Sequence, residues 1–180
     1  MEIIIGQLLG LVGIILLIAV FQVDDRRKLL HIQILSNLTW SSYYIVLGAF
    51  TAAGLIALGI VRNYLFDRYR QYEWVLGLMV VMYTIVTLIT WKDWTSIMAL
   101  IGMIMATIAL WQKKPRHIRL TSLTVTPFWL TYNTLNGSYW GIVGDLVTFG
   151  SVVIGIWRFD ISPKLFERKT PDTHRVKSES

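Results

Sequence analysis

Residues 129–145 read WLTYNTLNGSYWGIVGD, and residues 40–50 read WSSYYIVLGAF. In each stretch a Trp is followed three residues later by a Tyr, and five residues after that by a Gly. The first set is Trp40, Tyr43 and Gly48; the second is Trp129, Tyr132 and Gly137. Each glycine precedes a small residue and an aromatic, Ala49-Phe50 and Ser138-Tyr139. Apolar runs flank both sets, so each marks a tight hairpin between two helices. The outline is written twice, but only the second copy carries Asn133, Asn136 and Asp145.

The chain of 180 residues is 54% hydrophobic and 16% charged. A soluble domain carries about 25% charged residues. The charges here are bunched, and the gaps between them have the roughly 20 apolar residues that a helix needs to cross about 30 Å of hydrocarbon. The expected class is an all-α polytopic membrane protein. With no cysteine there are no disulfides, thiol catalysis or thiolate metal sites. The opening run MEIIIGQLLGLVGIILLIAVFQ has Glu2 where a secretory signal has basic residues. No small-residue cleavage site follows, and it is read as a retained first span.

Seven spans are expected, at 3–21, 29–48, 51–66, 74–90, 95–112, 118–137 and 139–157. Short cytoplasmic loops collect Lys and Arg. With these spans, Lys92 lies on one side and the other sixteen of the 17 Lys and Arg residues lie on the opposite side. The expected topology is therefore N-terminus out and C-terminus in. The basic balance follows from topology, with some attraction to anionic lipids, and nucleic acid is not expected as a partner.

Phe21-Gln22 precedes one basic loop as Trp111-Gln112 precedes another, and Arg62 and Arg158 each close a third span. Spans 1–3 thus resemble spans 5–7. Two three-span units in one orientation need an extra crossing between them, and span 4 (WVLGLMVVMYTIVTLIT) supplies it. The expected arrangement is 3+1+3 with parallel repeats, which places a site near the midplane between the repeats. Residues 1–70 form the first three-helix bundle, 71–92 the linker helix and 93–159 the second bundle. Residues 160–180 are read as a disordered cytoplasmic tail.

Residues three and four apart share a helix face. Ser122, Thr126, Trp129, Asn133 and Asn136 form one polar stripe on span 6, and Gly141, Asp145 and Thr148 form another on span 7. At 1.5 Å per residue, Asn133 lies roughly 6 Å and Asp145 roughly 12 Å from the hairpin. Asp145 is the only carboxylate inside any expected span. Such a group costs about 2.5–3.5 kcal/mol at the bilayer centre, and usually faces a cavity or a partner. It is a candidate for proton coupling or for a hydrogen bond to substrate; the plainer alternative is a structural bond to Asn133 or Asn136.

Trp129 and Tyr132 offer flat surfaces to a sugar or base ring, or else form an interfacial belt. Asn133 and Asn136 suit hydroxyl- or amide-bearing solutes, or else join helices. On span 2, Ser36, Asn37, Trp40, Ser41 and Tyr44 form a matching stripe, with Asn37 and Trp40 as the expected counterparts of the span 6 site. Pro127 removes a helical hydrogen bond and is the candidate hinge. Gly6-xxx-Gly10 and Gly102-xxx-Ala106 are read as packing positions, and Arg62 and Arg158 as snorkelling anchors. His31, His117 and His174 have no metal-ligand spacing, and no Walker, zinc or nucleophile-elbow motif is present. No cofactor or metal is expected. A lone carboxylate without a second acid or nucleophile argues against an enzyme.

Trp129-xxx-Asn133-xxx-Gly137-Ser138-xx-Gly141-xxx-Asp145, closing with Arg158-Phe159, resembles the YgjV-type bacterial inner membrane proteins. Asp25-Arg26-Arg27 and Arg62 fit as well, and the likeness covers most of residues 6–159. That family is grouped with the SWEET, PQ-loop and nicotinamide-riboside carriers, which implies a fold of three-helix bundles. The proline-glutamine pair of the PQ-loop carriers is replaced here by Phe21-Gln22 and Trp111-Gln112. Trp129-xx-Tyr132-xxx-Asn136 is similar to the Trp-xx-Trp-xxx-Asn motif of the nicotinamide-riboside carriers.

The reading that follows is a carrier for a small polar solute, sugar-like or nucleoside- and vitamin-like, working by alternating access between the two bundles. Its site is expected to be lined by Trp129, Tyr132, Asn133, Asn136 and Asp145, with Asn37 and Trp40 opposite. The alternative is a non-transporting receptor or accessory subunit whose basic tail binds a cytoplasmic partner or lipid head groups. A homo-oligomer stays open.

Overall fold

The computed structural model describes residues 2–69 and 72–162, with side chains from residue 5 onward. Arg70, His174 and the expected tail from residue 163 lie outside the described residues. The elements are α1 (Glu2–Phe21), α2 (Arg26–Val46), α3 (Phe50–Arg68), α4 (Trp74–Ile89), α5 (Thr95–Trp111), α6 (Pro115–Ser122), α7 (Thr126–Leu135) and α8 (Tyr139–Ile156). One π-helical turn, Trp157–Ile161, closes the described chain. No strand occurs among the described residues.

Six of the seven expected spans each coincide with one helix. The span expected at 118–137 is two helices, α6 and α7, broken at Leu123-Thr124-Val125. Pro127 explains the break: it has no amide hydrogen to give to the carbonyl four residues back. The chain tightens there, with the Thr124 amide donating to the Thr121 carbonyl and the Val125 amide to the Ser122 carbonyl, both at 3.1 Å. Pro127 then falls in the first turn of α7, where a missing amide hydrogen costs nothing.

Both hairpins turn on a left-handed glycine, Gly48 at φ 69° and Gly137 at φ 64°. The Gly48 amide donates to the Ile45 carbonyl and the Ala49 amide to that of Tyr44. The Gly137 amide donates to Thr134 and the Ser138 amide to Asn133 in the same way. Each is a Schellman close, which only a residue without Cβ adopts cheaply. The next helix starts within two residues of each glycine.

Taking α1–α3 as one unit and α5–α8 as the other, α2 packs on both α1 and α3, and α6 and α7 pack on both α5 and α8. The largest helix packings between the units are α1 on α8 and α3 on α5. α4 lies outside this ring, on α3 and α5.

Two glycines seat two tryptophans at the equivalent places. A Cβ on Gly13 would lie 2.8 Å from the Trp40 indole, and one on Gly102 would lie 2.9 Å from the Trp129 indole. The separation of 89 residues that relates Tyr44 to Asn133 also relates Gly13 to Gly102 and Trp40 to Trp129. The structural partner of Gly102 is therefore Gly13, a register the Gly-xxx-small spacing did not give. Trp40 packs edge-on against Tyr43 at 5.3 Å, and Trp129 against Tyr132 at 5.8 Å.

At the basic end, two arginines reach between the units. Arg26 donates to the carbonyls of Phe66, Leu110 and Gln112, groups at or just past helix C-termini that lack intrahelical partners. Arg119 is 1% exposed and makes a bidentate pair with Asp160, at 2.9 and 3.1 Å, and a contact of 3.1 Å to Asp24. Gly155 makes room for it, since a Cβ there would lie 3.0 Å from Arg119 Cδ. Asp160 was expected in the disordered tail. It lies instead in the π-helical turn, as the partner of a buried guanidinium.

The outer surface is apolar: Leu8, Leu11 and Ile15 on α1, Val81, Ile85 and Leu88 on α4, and Leu146, Val153 and Ile154 on α8 are all exposed. Among the described residues one helix, Tyr139–Ile161, is by itself long and apolar enough to cross a membrane. Ile5–Phe21, Trp74–Ile89 and Thr95–Trp111 are apolar but shorter.

Candidate functional site

A cavity of about 140 Å³ lies inside the ring of helices. α2 turns one face to it, with Gln33, Ser36, Asn37, Trp40 and Tyr44 at helical spacing. α8 contributes Gly141, Gly144, Asp145 and Thr148. Ser122, Val125, Thr126 and Trp129 come from α6, α7 and the break between them. α3 adds Ile56 and Arg62, α5 adds Met103, Ala106 and Leu110, and α1 adds Leu17 and Phe21. α4 contributes no lining residue.

Small residues allow the polar groups into the wall. A Cβ on Gly59 would lie 2.6 Å from Asn37 Nδ2, and one on Gly141 2.5 Å from Asn133 Cγ. Gly144 gives the Trp40 ring its second seat, at 2.7 Å from a built Cβ. Asn37 accepts a 3.3 Å hydrogen bond from Gln33 Nε2. Three buried side chains of the wall keep a polar atom without a partner: Ser36 Oγ, Asn37 Nδ2 and Trp40 Nε1.

Toward the hairpin end, a chain of hydrogen bonds crosses from one unit to the other. The Tyr44 hydroxyl donates to Asn133 Oδ1 at 2.7 Å, and Asn133 Nδ2 donates to Asp145 Oδ2 at 2.8 Å. Tyr44 also stacks obliquely between Trp40, at 6.0 Å, and Trp129, at 6.3 Å. Tyr43 and Ser138 join the hydroxyl layer above it at 3.4 Å.

Of the residues expected at the site, Asn37, Trp40, Trp129 and Asp145 meet in the cavity wall. Asn133 is fully buried behind them and bonded to Asp145, the contact anticipated as the structural alternative. Tyr132 and Asn136 are not in the wall. The Tyr132 hydroxyl lies against the Ala52 backbone. Asn136 ties the end of α7 to the start of α5, donating to Thr95 Oγ1 at 3.1 Å and accepting from Lys92 Nζ at 3.3 Å. Asn136 is the C-cap of α7, and its side chain also donates to the Tyr132 carbonyl at 3.0 Å, which holds it at the helix end and out of the wall.

Tyr44 and Arg62 also line the cavity; neither was in the expected site, although Tyr44 stood on the span 2 stripe. Tyr44 stands 89 residues before Asn133, so aligning the repeats would have found it. Arg62 was read as a snorkelling anchor, yet it is 1% exposed and faces the cavity. The available signal was its place inside an apolar run, six residues before Arg68, the basic residue that ends α3. Arg158 is exposed and rests on the Phe159 ring, with Cζ 5.0 Å from the centroid. Among the described residues no three His, Asp or Glu are grouped to hold a metal ion.

Neither a curated protein nor a solved structure matches the chain. One family model does, over residues 4–162, and it is described as bacterial inner membrane protein. The apolar exterior and the charge pattern agree with that description. The chain belongs to the YgjV family of bacterial inner membrane proteins.

Proposed function

We propose that this inner membrane protein is a carrier for a small polar solute, working by alternating access between two three-helix units. In this reading α1–α3 and α5–α8 are parallel copies in a SWEET-like 3+1+3 arrangement of seven crossings, with residues 71–92 as the linker and the basic loops in the cytoplasm. The ring of contacts supports it, since α1 meets α8 as α5 meets α3. The matched tryptophan seats at Gly13 and Gly102 support it too.

The observation that carries the reading is the wall at the seam between the units. Buried polar atoms are normally satisfied, and in hydrocarbon the need is greater. Ser36, Asn37 and Trp40 line the cavity, and Ser36 Oγ, Asn37 Nδ2 and Trp40 Nε1 are buried without a partner, the last two turned toward Gly59 and Gly13. In this reading a hydroxyl- or carbonyl-bearing solute reaches them as the units part. Asp145, Asn133 and Tyr44 close the hairpin end, and the break before Pro127 gives the second unit a place to bend.

A thermal-shift screen of the purified protein, followed by flux into proteoliposomes, tests this. A ligand that binds the native state alone raises its stability. Stabilisation and flux that persist in Arg158→Gln and are lost in Asn37→Ala and Asp145→Asn support the carrier. Stably folded variants with no ligand and no flux in any background transfer the weight to a receptor or accessory subunit.

A further inference from the structure

Two arginines in the described residues are fully buried, and the protein treats them differently. Arg119 has two carboxylate partners, Asp24 and Asp160. Arg62 has neutral ones: its Nε donates to Asn63 Oδ1 at 2.9 Å and its Nη1 to Thr107 Oγ1 at 3.3 Å, and the Tyr83 hydroxyl lies beside it. A buried charge without a counter-charge is strongly unfavourable, and proteins pair such groups. Arg62 lines the cavity, and so does Asp145. No ion pair joins the two; Asp145 is instead held by Asn133. The cavity thus has a cationic pole on α3 and an acidic pole on α8.

We propose that the solute carries a carboxylate that docks on Arg62 and a hydrogen-bond donor that reaches Asp145, as in a small amino acid or hydroxy acid. A guanidinium is planar and grips a carboxylate with two parallel hydrogen bonds. Size agrees: an apolar cavity of about 150 Å³ holds a benzene ring, six heavy atoms, and this one is about 140 Å³. Trp40 and Trp129 supply apolar walls for the solute's carbon skeleton. The inference rests on the carrier reading and narrows its solute class.

The test pairs each acid with its amide. The full-length protein in detergent is titrated with L-alanine, L-lactate, L-alaninamide, L-lactamide, glucose and uridine, and the same solutes are offered to proteoliposomes. The expected result is binding and flux of alanine or lactate, with the matching amide at least tenfold weaker. Arg62→Gln then loses at least tenfold in affinity, while Arg158→Gln, a change of an exposed arginine, does not. Acid and amide binding alike, or glucose or uridine binding with Arg62→Gln unaffected, overturns the proposal and leaves a carrier of neutral solutes. No binding and no flux from any of the six overturns the proposal and the carrier reading together. If Arg62→Gln does not fold, the comparison of acid with amide on the unaltered protein decides by itself.

Discussion

The tryptophan seats make a quantitative demand on two glycines, Gly13 and Gly102. A methyl group added at Gly102 sits 2.9 Å from Trp129 Cδ1 and Nε1, and one at Gly13 sits 2.8 Å from Trp40. Ordinary carbon contacts begin near 3.5 Å, so each ring must move by about 0.6 Å or more. Neither ring is free to do so, because Trp129 is packed on Tyr132 and Tyr44, and Trp40 on Tyr43 and Gly144. Overpacking of this kind costs about 1–3 kcal/mol. Gly77 and Gly150 lie on helices with nothing within 4 Å of a built Cβ. Alanine there only improves helix propensity, by up to about 1 kcal/mol. For a chain of this size each kcal/mol moves the melting temperature by about 2–4 °C. Gly13→Ala and Gly102→Ala should therefore melt about 2–12 °C below Gly77→Ala and Gly150→Ala, measured by intrinsic fluorescence in one detergent. Trp129→Phe should recover part of the loss in Gly102→Ala by shrinking the ring. Four variants melting within 1 °C of one another would refute the seats and, with them, the matched register of the two units.

Three further outcomes follow from named contacts. Tyr44→Phe deletes the hydroxyl that donates to Asn133; in a membrane interior such a bond is worth about 0.6–1.7 kcal/mol, and a cycle with Asn133→Ala should be non-additive by that amount, whereas strict additivity would break the proposed chain. Arg119→Gln leaves Asp160, 7% exposed, without its cation and should cost about 3–5 kcal/mol, against a change within about 0.5 kcal/mol for Arg158→Gln; equal melting of the two variants would contradict the pairing. Asp25 caps α2 by accepting from the Lys28 amide, and that bond holds its carboxyl below the usual range. The folded pKa is the lower one, so the contribution is complete above the unfolded value near ~3.9 and fades as pH falls through the folded value. Asp25→Asn keeps a capping oxygen and should flatten that acid-side dependence of the melting temperature; an unchanged acid limb would speak against the cap.

The sequence showed the helices well because hydrophobic runs and loop charges report on the outside of such a protein. Gly48 and Gly137 were legible as turns for the same local reason. The interior was harder. Pro127 was legible as a bend, but hydropathy did not show that the span divides into two helices at Leu123-Thr124-Val125. Arg62 was read with Arg158 as an anchor although it stands inside an apolar run, and its packing against Asn63 and Thr107 sets it apart from Arg158. Asn133 and Asn136 share a stripe by spacing, yet the helix ends between them and sends one to Asp145 and the other to Thr95. Helical periodicity orders residues along a face, but it does not say where the face stops.

Tyr44 and Asn133 touch, and they are separated by the 89 residues that relate the two tryptophan seats. Points related by a two-fold rotation can touch only beside its axis. In the proposed two-copy arrangement, this 2.7 Å bond therefore lies beside the axis that relates the copies. In the proposed cycle, opening the basic end can leave the bond intact, whereas parting Tyr44 from Asn133 at the hairpin end has to sever it. One hydroxyl and one amide would then weigh on how readily the cavity faces each side of the membrane.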